Sequence, residues 1–180
     1  MKNRLNPFLL VHGGTSTGSI WDRVVPFLEE AGHSVYTPDL KGMGSRISEL
    51  SPDISLDDYI EDVCHIIKKY DLHNLILVGH SVAGLIITAA TSQMPERISK
   101  LVYLDALLPE VGKTAFNLLN PEIVAWLIKL ANEGGDGWRY LPEQVTTIES
   151  FPDKEEREWV LARRSPQPNQ LPRRKQRGMN

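Results

Sequence analysis

This chain of 180 residues is poor in cysteine and has no long apolar run. Cys64 is its one cysteine, so no disulfide can form within the chain, and a metal site would need other ligands. No stretch reaches the roughly 18 apolar residues of a membrane-spanning helix, and the apolar run near the N-terminus is too short for a secretion signal. We therefore expect a cytoplasmic protein with no membrane contact, metal or cofactor.

Strong net charge is also lacking. The net charge of −3 and the pI near 6.0 give no reason to expect nucleic acid as a partner. The final stretch is a local exception, because LPRRKQRGMN has four basic residues and no acidic one. We interpret residues 165–180 as a basic, disordered tail.

Short apolar runs alternate with amphipathic segments along the chain, a pattern typical of a parallel sheet covered by helices on both faces. Ser55 and Asp58 form the pattern of a capping box that opens one of these helices. Strands are predicted over residues 8–11, 33–37, 75–78 and 101–104. Helices are predicted over residues 21–30, 56–70 and 82–93, with a loop over residues 40–54.

A glycine-rich loop, HGGTSTGSIW, follows the first predicted strand. Such a loop can hold a nucleotide phosphate, a dinucleotide pyrophosphate or the oxyanion of a reacting carbonyl. The phosphate-loop pattern fails because Ser19 stands where a lysine is needed, and the glycine spacing does not fit the dinucleotide fingerprint. The loop therefore favours a site of backbone amides for an anion.

A serine lies on a predicted tight turn between the third strand and its helix, in the sequence GHSVAG over residues 79–84. Such a turn needs small residues two positions before and after the serine, and Gly79 and Ala83 meet that need. The turn would expose the Ser81 hydroxyl and place the Val82 N–H at a helix N-terminus, which favours negative charge. The Gly14 N–H would be the second donor of an oxyanion hole.

These motifs together resemble the α/β-hydrolase family, and within it the branch of small-molecule esterases and hydroxynitrile lyases that includes plant methylesterases. The resemblance covers about residues 7–106. Ala83 replaces the glycine that is common in the serine turn, which the geometry permits. The lyases of this branch resemble one another in a threonine where this chain has Gly13, so ester hydrolysis is favoured over cyanohydrin cleavage. The segments that carry the resemblance are VHGG, TPDLKGMGSR, SLDDYIEDV, GHSVAG and LVYLDALLP.

The resemblance also implies a catalytic histidine after the serine, which this sequence lacks. All five histidines precede Ser81; they are His12, His33, His65, His73 and His80. We therefore expect a truncated α/β-hydrolase, with a core over residues 1–106, a helical cap over residues 107–164, and the last strands of the sheet missing.

Three other residues are candidates for a role beside Ser81. His80 adjoins the serine, but adjacent residues on a sharp turn point apart, and the resemblance implies that His80 packs around the turn. His12, with Gly13, supports the oxyanion loop more readily than it transfers a proton. Asp105, at the end of the fourth strand, is a candidate acid, although without a histidine to orient it has no catalytic task.

The sequence thus predicts an esterase of small carboxylic esters that is weak or inactive in this chain, because the serine has no base. Two alternatives stay open. The chain could be a non-catalytic protein that binds a small-molecule ester or acid, or a hydroxynitrile lyase-like enzyme. Self-association through an exposed sheet edge is a further expectation.

Overall fold

The computed structural model describes residues 5–169, which form a parallel sheet of four strands flanked by helices. The strand order is β2, β1, β3, β4, and all three neighbouring pairs are parallel. These strands are β1 (Phe8–Val11), β2 (Val35–Tyr36), β3 (Leu75–His80) and β4 (Ile98–Leu104). A second sheet pairs β5 (Arg139–Tyr140) with β6 (Gln167–Pro168) in antiparallel fashion. The predicted fold class is confirmed.

Seven α-helices and three short 3-10 helices accompany the strands within residues 5–169. The α-helices are α1 (Val25–Glu30), α2 (Leu56–Lys69), α3 (Ala83–Gln93), α4 (Ala115–Leu118), α5 (Pro121–Gly134), α6 (Pro142–Val145) and α7 (Lys154–Leu161). The 3-10 helices are Gly18–Trp21, Gly44–Glu49 and Pro95–Arg97. No helix in this described part of the chain is long and apolar enough to cross a membrane.

The sheet buries both of its faces, because successive strand residues point to opposite sides. Leu9 and Val11 of β1 pack with α2 and α3 in the larger core cluster. Leu10, between them, belongs to a smaller cluster with Trp21 and Val78 on the other face. Near-continuous apolar strands are what a sheet covered on both faces requires.

The capping box of α2 is confirmed. The Ser55 backbone N–H donates to Asp58 Oδ2 at 2.8 Å, and the Ser55 hydroxyl donates to the same oxygen at 2.6 Å. Partial burial opposes ionisation of Asp58, but the hydrogen bonds from Ser55 and Lys41 outweigh it and lower the pKa of Asp58 to about 2. These contacts fix the start of the helix that covers β1 and β3.

The bounds of the third strand and of the first helix differ from those predicted from the sequence. The prediction ended the third strand at Val78, but β3 continues to His80 because Gly79 and His80 pair with Tyr103 and Leu104 of β4. The first predicted helix is divided into a 3-10 turn and the short α1.

The predicted tail boundary at residue 165 also differs from the structure. Ser165 and Gln167 are 4% and 5% exposed, and the strand β6 lies in this segment. The segment is ordered because it hydrogen-bonds to the loop after β1, as described below. The remainder of the predicted tail, residues 170–180, lies outside the described residues.

The outer edge of β4 has no strand partner within residues 5–169. Four of its seven residues are exposed, and among them Tyr103 and Leu104 are 37% and 48% exposed. Leu108, just beyond the strand, is 58% exposed. This edge therefore presents unpaired backbone groups beside apolar side chains.

Candidate active site

Ser81 lies on the turn between β3 and α3, with a backbone φ of 54°. This left-handed conformation is uncommon for a residue with a side chain, and it reverses the chain within one residue. The Ser81 N–H donates to the Leu104 carbonyl at 3.3 Å, and its carbonyl accepts from the Leu107 N–H at 3.0 Å. The last residue of β4 and the segment that follows it therefore both hold the Ser81 backbone.

Close packing across this turn explains the small residues on either side of the serine. A Cβ at Gly79 would lie 2.8 Å from the Ala83 carbonyl oxygen and 2.9 Å from Ile87 Cδ1. Ala83 is itself fully buried. A larger residue at position 79 would push the first turn of α3 away from β3.

His12 supports the glycine-rich loop from a fully buried position. Its Nε2 accepts a hydrogen bond from the Leu40 N–H at 3.2 Å, and its Nδ1 lies 2.9 Å from the Gly13 carbonyl, to which it donates in the matching tautomer. Burial lowers the pKa of His12, against opposing contributions from the Gly13 hydrogen bond and Asp39. The ring is therefore neutral and both its nitrogens are occupied, so it cannot act as a base on Ser81.

Two backbone amides near Ser81 have no hydrogen-bond acceptor within residues 5–169. They are the N–H groups of Gly14, in the loop after β1, and Val82, directly before α3. Amides without a partner beside a serine hydroxyl are what an oxyanion hole would require before ligand binds.

One cavity of about 450 Å³ brings the sequence-predicted residues together. Gly14, Ser81, Val82 and Asp105 are among the residues that line it. Apolar side chains from α4, from α5 and from the residues between them also line it; they include Phe116, Leu119, Ile123 and Leu127. A largely apolar cavity with a few polar groups suits a small organic ligand with one polar function.

His80 is half-buried behind the turn and does not line this cavity. Burial lowers the pKa of His80, Asp105 opposes this effect, and Arg164 adds to it. No side-chain hydrogen bond in the described part of the chain involves His80 or the Ser81 hydroxyl. The structure therefore shows no base in contact with the serine.

Asp105 directly follows β4, in a left-handed conformation with a φ of 42°. It is exposed and lines the cavity with Ser81. Among the described residues it forms no ion pair. Its carboxylate thus lines the cavity without an ion pair, although it is near enough to His80 to oppose the lowering of that residue's pKa.

The other three histidines lie outside the cavity lining. The Nδ1 atom of His33 is 2.8 Å from the Asn6 carbonyl, and the Nε2 atom of His73 is 3.2 Å from Asp71 Oδ1. His65 lies on the exposed side of α2. Within residues 5–169, no three His, Cys, Asp or Glu side chains come together as a metal ion would require.

Residues 163–167 hydrogen-bond to the glycine-rich loop, a contact that was not predicted from the sequence. Gln167 and Thr15 line the cavity, and the Thr15 N–H donates to Gln167 Oε1 at 2.5 Å. Arg164 Nη1 donates to the Thr15 hydroxyl at 2.6 Å. The available signal was weak: the prolines on either side of Gln167 favour extended backbone, but no periodicity or motif marks the contact.

Comparison with known proteins connects this geometry with a family. The family model described as the alpha/beta hydrolase fold matches residues 6–130. A carbendazim hydrolyzing esterase from a Nocardioides species is 34% identical over 170 residues, which are 89% of this chain and 68% of that protein. Polyneuridine aldehyde esterase from Rauvolfia serpentina is 34% identical over 104 residues, which are 57% of this chain and 39% of that enzyme.

A solved structure is similar over nearly the whole chain. It is an extracellular α/β-hydrolase from a Paenibacillus species, with a TM-score of 0.78 and 25% sequence identity. The match covers 93% of this chain and 68% of that one. That protein is described as sharing structural and functional homology with tobacco salicylic acid binding protein 2. The chain thus spans about two thirds or less of the length of these relatives.

Proposed function

Since this chain belongs to the α/β-hydrolase fold family, we propose that its cavity binds small carboxylic esters and that Ser81 is the nucleophile. One observation carries this proposal: Ser81 lines one cavity together with Gly14 and Val82, whose amides have no acceptor within residues 5–169. The apolar side chains of α4 and α5 that line the cavity would hold the acyl or alcohol group. The two curated relatives described above are esterases by name, which supports the same class of substrate.

In the proposed reaction, Ser81 Oγ forms a bond to the ester carbonyl carbon, and the carbonyl oxygen becomes an oxyanion. The Gly14 and Val82 N–H groups would stabilise this charge more than they stabilise the neutral ester. The carbon–oxygen bond to the alcohol then breaks, and the hydroxyl proton leaves with the alcohol. Water next releases the acyl group as a carboxylic acid and restores the serine.

We propose that the turnover of this chain is slow, because no base among residues 5–169 hydrogen-bonds to Ser81. His12 is neutral and uses both ring nitrogens within the loop, and His80 lies outside the cavity lining. In serine hydrolases, loss of one triad member leaves only about 10³- to 10⁴-fold catalysis over water. Asp105, at the cavity, remains the candidate acid for a histidine that this chain does not contain.

A second candidate function is the binding of a small ester or acid without turnover. The unpartnered Ser81 hydroxyl favours it, and so does the described homology of the Paenibacillus relative to a salicylic acid binding protein. The lyase-like alternative is less favoured. A Cβ at position 13 would lie 2.7 Å from His80 Nδ1 and 3.1 Å from Ser81 Cβ, so the threonine of the resembling lyases would not fit without rearrangement.

Labelling with a fluorophosphonate probe, followed by intact mass, tests the proposal. We expect one adduct that forms over hours, is absent from Ser81→Ala, and is retained in Ser92→Ala, whose serine lies on the exposed side of α3. An adduct complete within seconds would contradict the absence of a base. No adduct, together with thermal stabilisation by a small ester, would favour the binding function.

A further inference from the structure

We infer that Gln167 is a ligand-binding residue of this site, whose Nε2 group donates a hydrogen bond to an oxygen of the bound ester. The same carboxamide positions the glycine-rich loop through Thr15. This inference rests on the proposed function and adds a side-chain donor to the two backbone amides of Gly14 and Val82.

Gln167 reaches the cavity from the far end of the chain. It lies in β6, which pairs with Arg139–Tyr140, and it is buried and lines the same cavity as Ser81. Pro166 and Pro168 restrict the backbone on both sides to extended conformations. A polar side chain that a rigid segment holds against a ligand cavity has little freedom to turn away.

One hydrogen bond fixes the orientation of the carboxamide. The Thr15 N–H can only donate, so the group that faces it at 2.5 Å must be the oxygen Oε1. The amino group Nε2 therefore faces elsewhere, and it has no acceptor within residues 5–169. Some polar side-chain atoms in this part of the chain are fully enclosed and lack a partner, such as Tyr140 Oη and Arg164 Nε, but Gln167 Nε2 is not one of them. Nε2 is thus an accessible, unused donor on a residue that lines the cavity.

The donor lies next to the proposed oxyanion site. A Cβ at Gly14 would lie 2.5 Å from Gln167 Oε1 and 3.4 Å from Nε2. The carboxamide therefore packs directly against the Gly14 backbone. A ligand whose carbonyl contacts the Gly14 amide would bring its oxygens within reach of Nε2.

The loop has other anchors, so the ligand contact can be separated from loop position. The Ser165 N–H donates to the Thr15 carbonyl at 3.0 Å, and the Thr17 N–H donates to the Arg163 carbonyl at 3.1 Å. Arg164 contacts the Thr15 hydroxyl. A change confined to the Gln167 side chain leaves these contacts in place.

The test measures ester recognition in the Ser81→Ala chain, which cannot consume the ligand through Ser81. The two ligands are methyl 4-fluorophenylacetate and 1-butyl-4-fluorobenzene, which have similar length but differ in the ester oxygens. Fluorine NMR measures a dissociation constant for each ligand, and the ratio of the two constants is the preference for the ester. The variants are Gln167→Glu, which keeps an acceptor for the Thr15 N–H but removes the donor, and Gln167→Met, which removes both. Ser165→Ala is the control from the same segment.

We expect both Gln167 substitutions to reduce the ester preference by about fivefold, the contribution of one hydrogen bond, and Ser165→Ala to leave it unchanged. The Thr15 amide resonance should move in Gln167→Met but stay near its position in Gln167→Glu, which separates anchoring from ligand contact. If both ligands bind and the preference survives both substitutions, Gln167 does not contact the ester, although the proposed function stands. If neither ligand binds the Ser81→Ala chain, the proposed function and this inference both fail.

Discussion

Individual residues at the site adopt backbone conformations that side chains disfavour. Within residues 5–169, six residues other than glycine have positive φ. Three of them line the same cavity: Thr15 at 51°, Ser81 at 54° and Asp105 at 42°. Each such residue costs on the order of 1 kcal/mol and persists only where its surroundings hold it. This clustering agrees with a functional role for the cavity.

Histidine burial predicts how stability depends on pH. Burial lowers the pKa of both His12 and His80 below the ordinary value of 6.5. Below pH 6.5 the unfolded chain therefore binds protons that the folded chain does not yet bind, so the free energy of unfolding should fall as pH falls. We expect a loss of up to about 1.4 kcal/mol per pH unit for each proton, measured by urea unfolding between pH 7 and 5.

Two variants check the assignment of this pH dependence. His12→Asn should flatten the slope between pH 6.5 and 5, whereas His65→Asn, on the exposed side of α2, should retain it. Stability that rises as the pH falls through this range would show that the folded state binds the extra protons instead.

At the scale of elements, the capping box of α2 gives a prediction independent of the site. Ser55→Ala removes the hydroxyl that donates to Asp58 and should lower the free energy of unfolding by about 1 kcal/mol. Ser92→Ala, on the exposed side of α3, is the matched control and should have little effect. If urea unfolding shows equal losses of unfolding free energy in both variants, the Ser55 hydroxyl stabilises the protein no more than an exposed serine hydroxyl does.

Local sequence signals predicted the elements whose causes are local. The apolar run at Phe8–Val11, the capping box and the small residues around Ser81 all act within a few positions, and the structure has β1, α2 and a tight turn there. The strand β6 could not be predicted, because two residues carry no periodicity and their partners Arg139–Tyr140 lie far away in sequence. Gln167 was missed for the same reason.

At the scale of the whole molecule, the outer edge of β4, which has no strand partner within residues 5–169, predicts self-association. We propose that a second copy of this chain pairs at this edge, since free backbone groups beside exposed apolar side chains are a template for another strand. Light scattering after size exclusion should show a mass that rises with concentration. Leu108→Lys should shift the distribution towards monomer, since its side chain is 58% exposed just beyond the edge.

Ile47→Lys is the control for this prediction, because Ile47 is an exposed apolar residue, at 46%, outside the sheet. It should leave the mass distribution unchanged. A constant monomer mass at all concentrations would contradict pairing at the edge, and equal effects of both lysine substitutions would indicate unspecific apolar contact.

The contact between Thr15 and Gln167 can form only late in the synthesis of the chain. The two residues are 152 positions apart, so a ribosome that adds about 5 to 20 residues per second makes the second roughly 8 to 30 seconds after the first. During that interval the nascent chain can form the β1–β3 pairing and the turn at Ser81, but Gln167 has not yet been made to hold the glycine-rich loop. In the proposed function, Gln167 therefore joins the ligand site only when translation of residues 5–169 is almost finished.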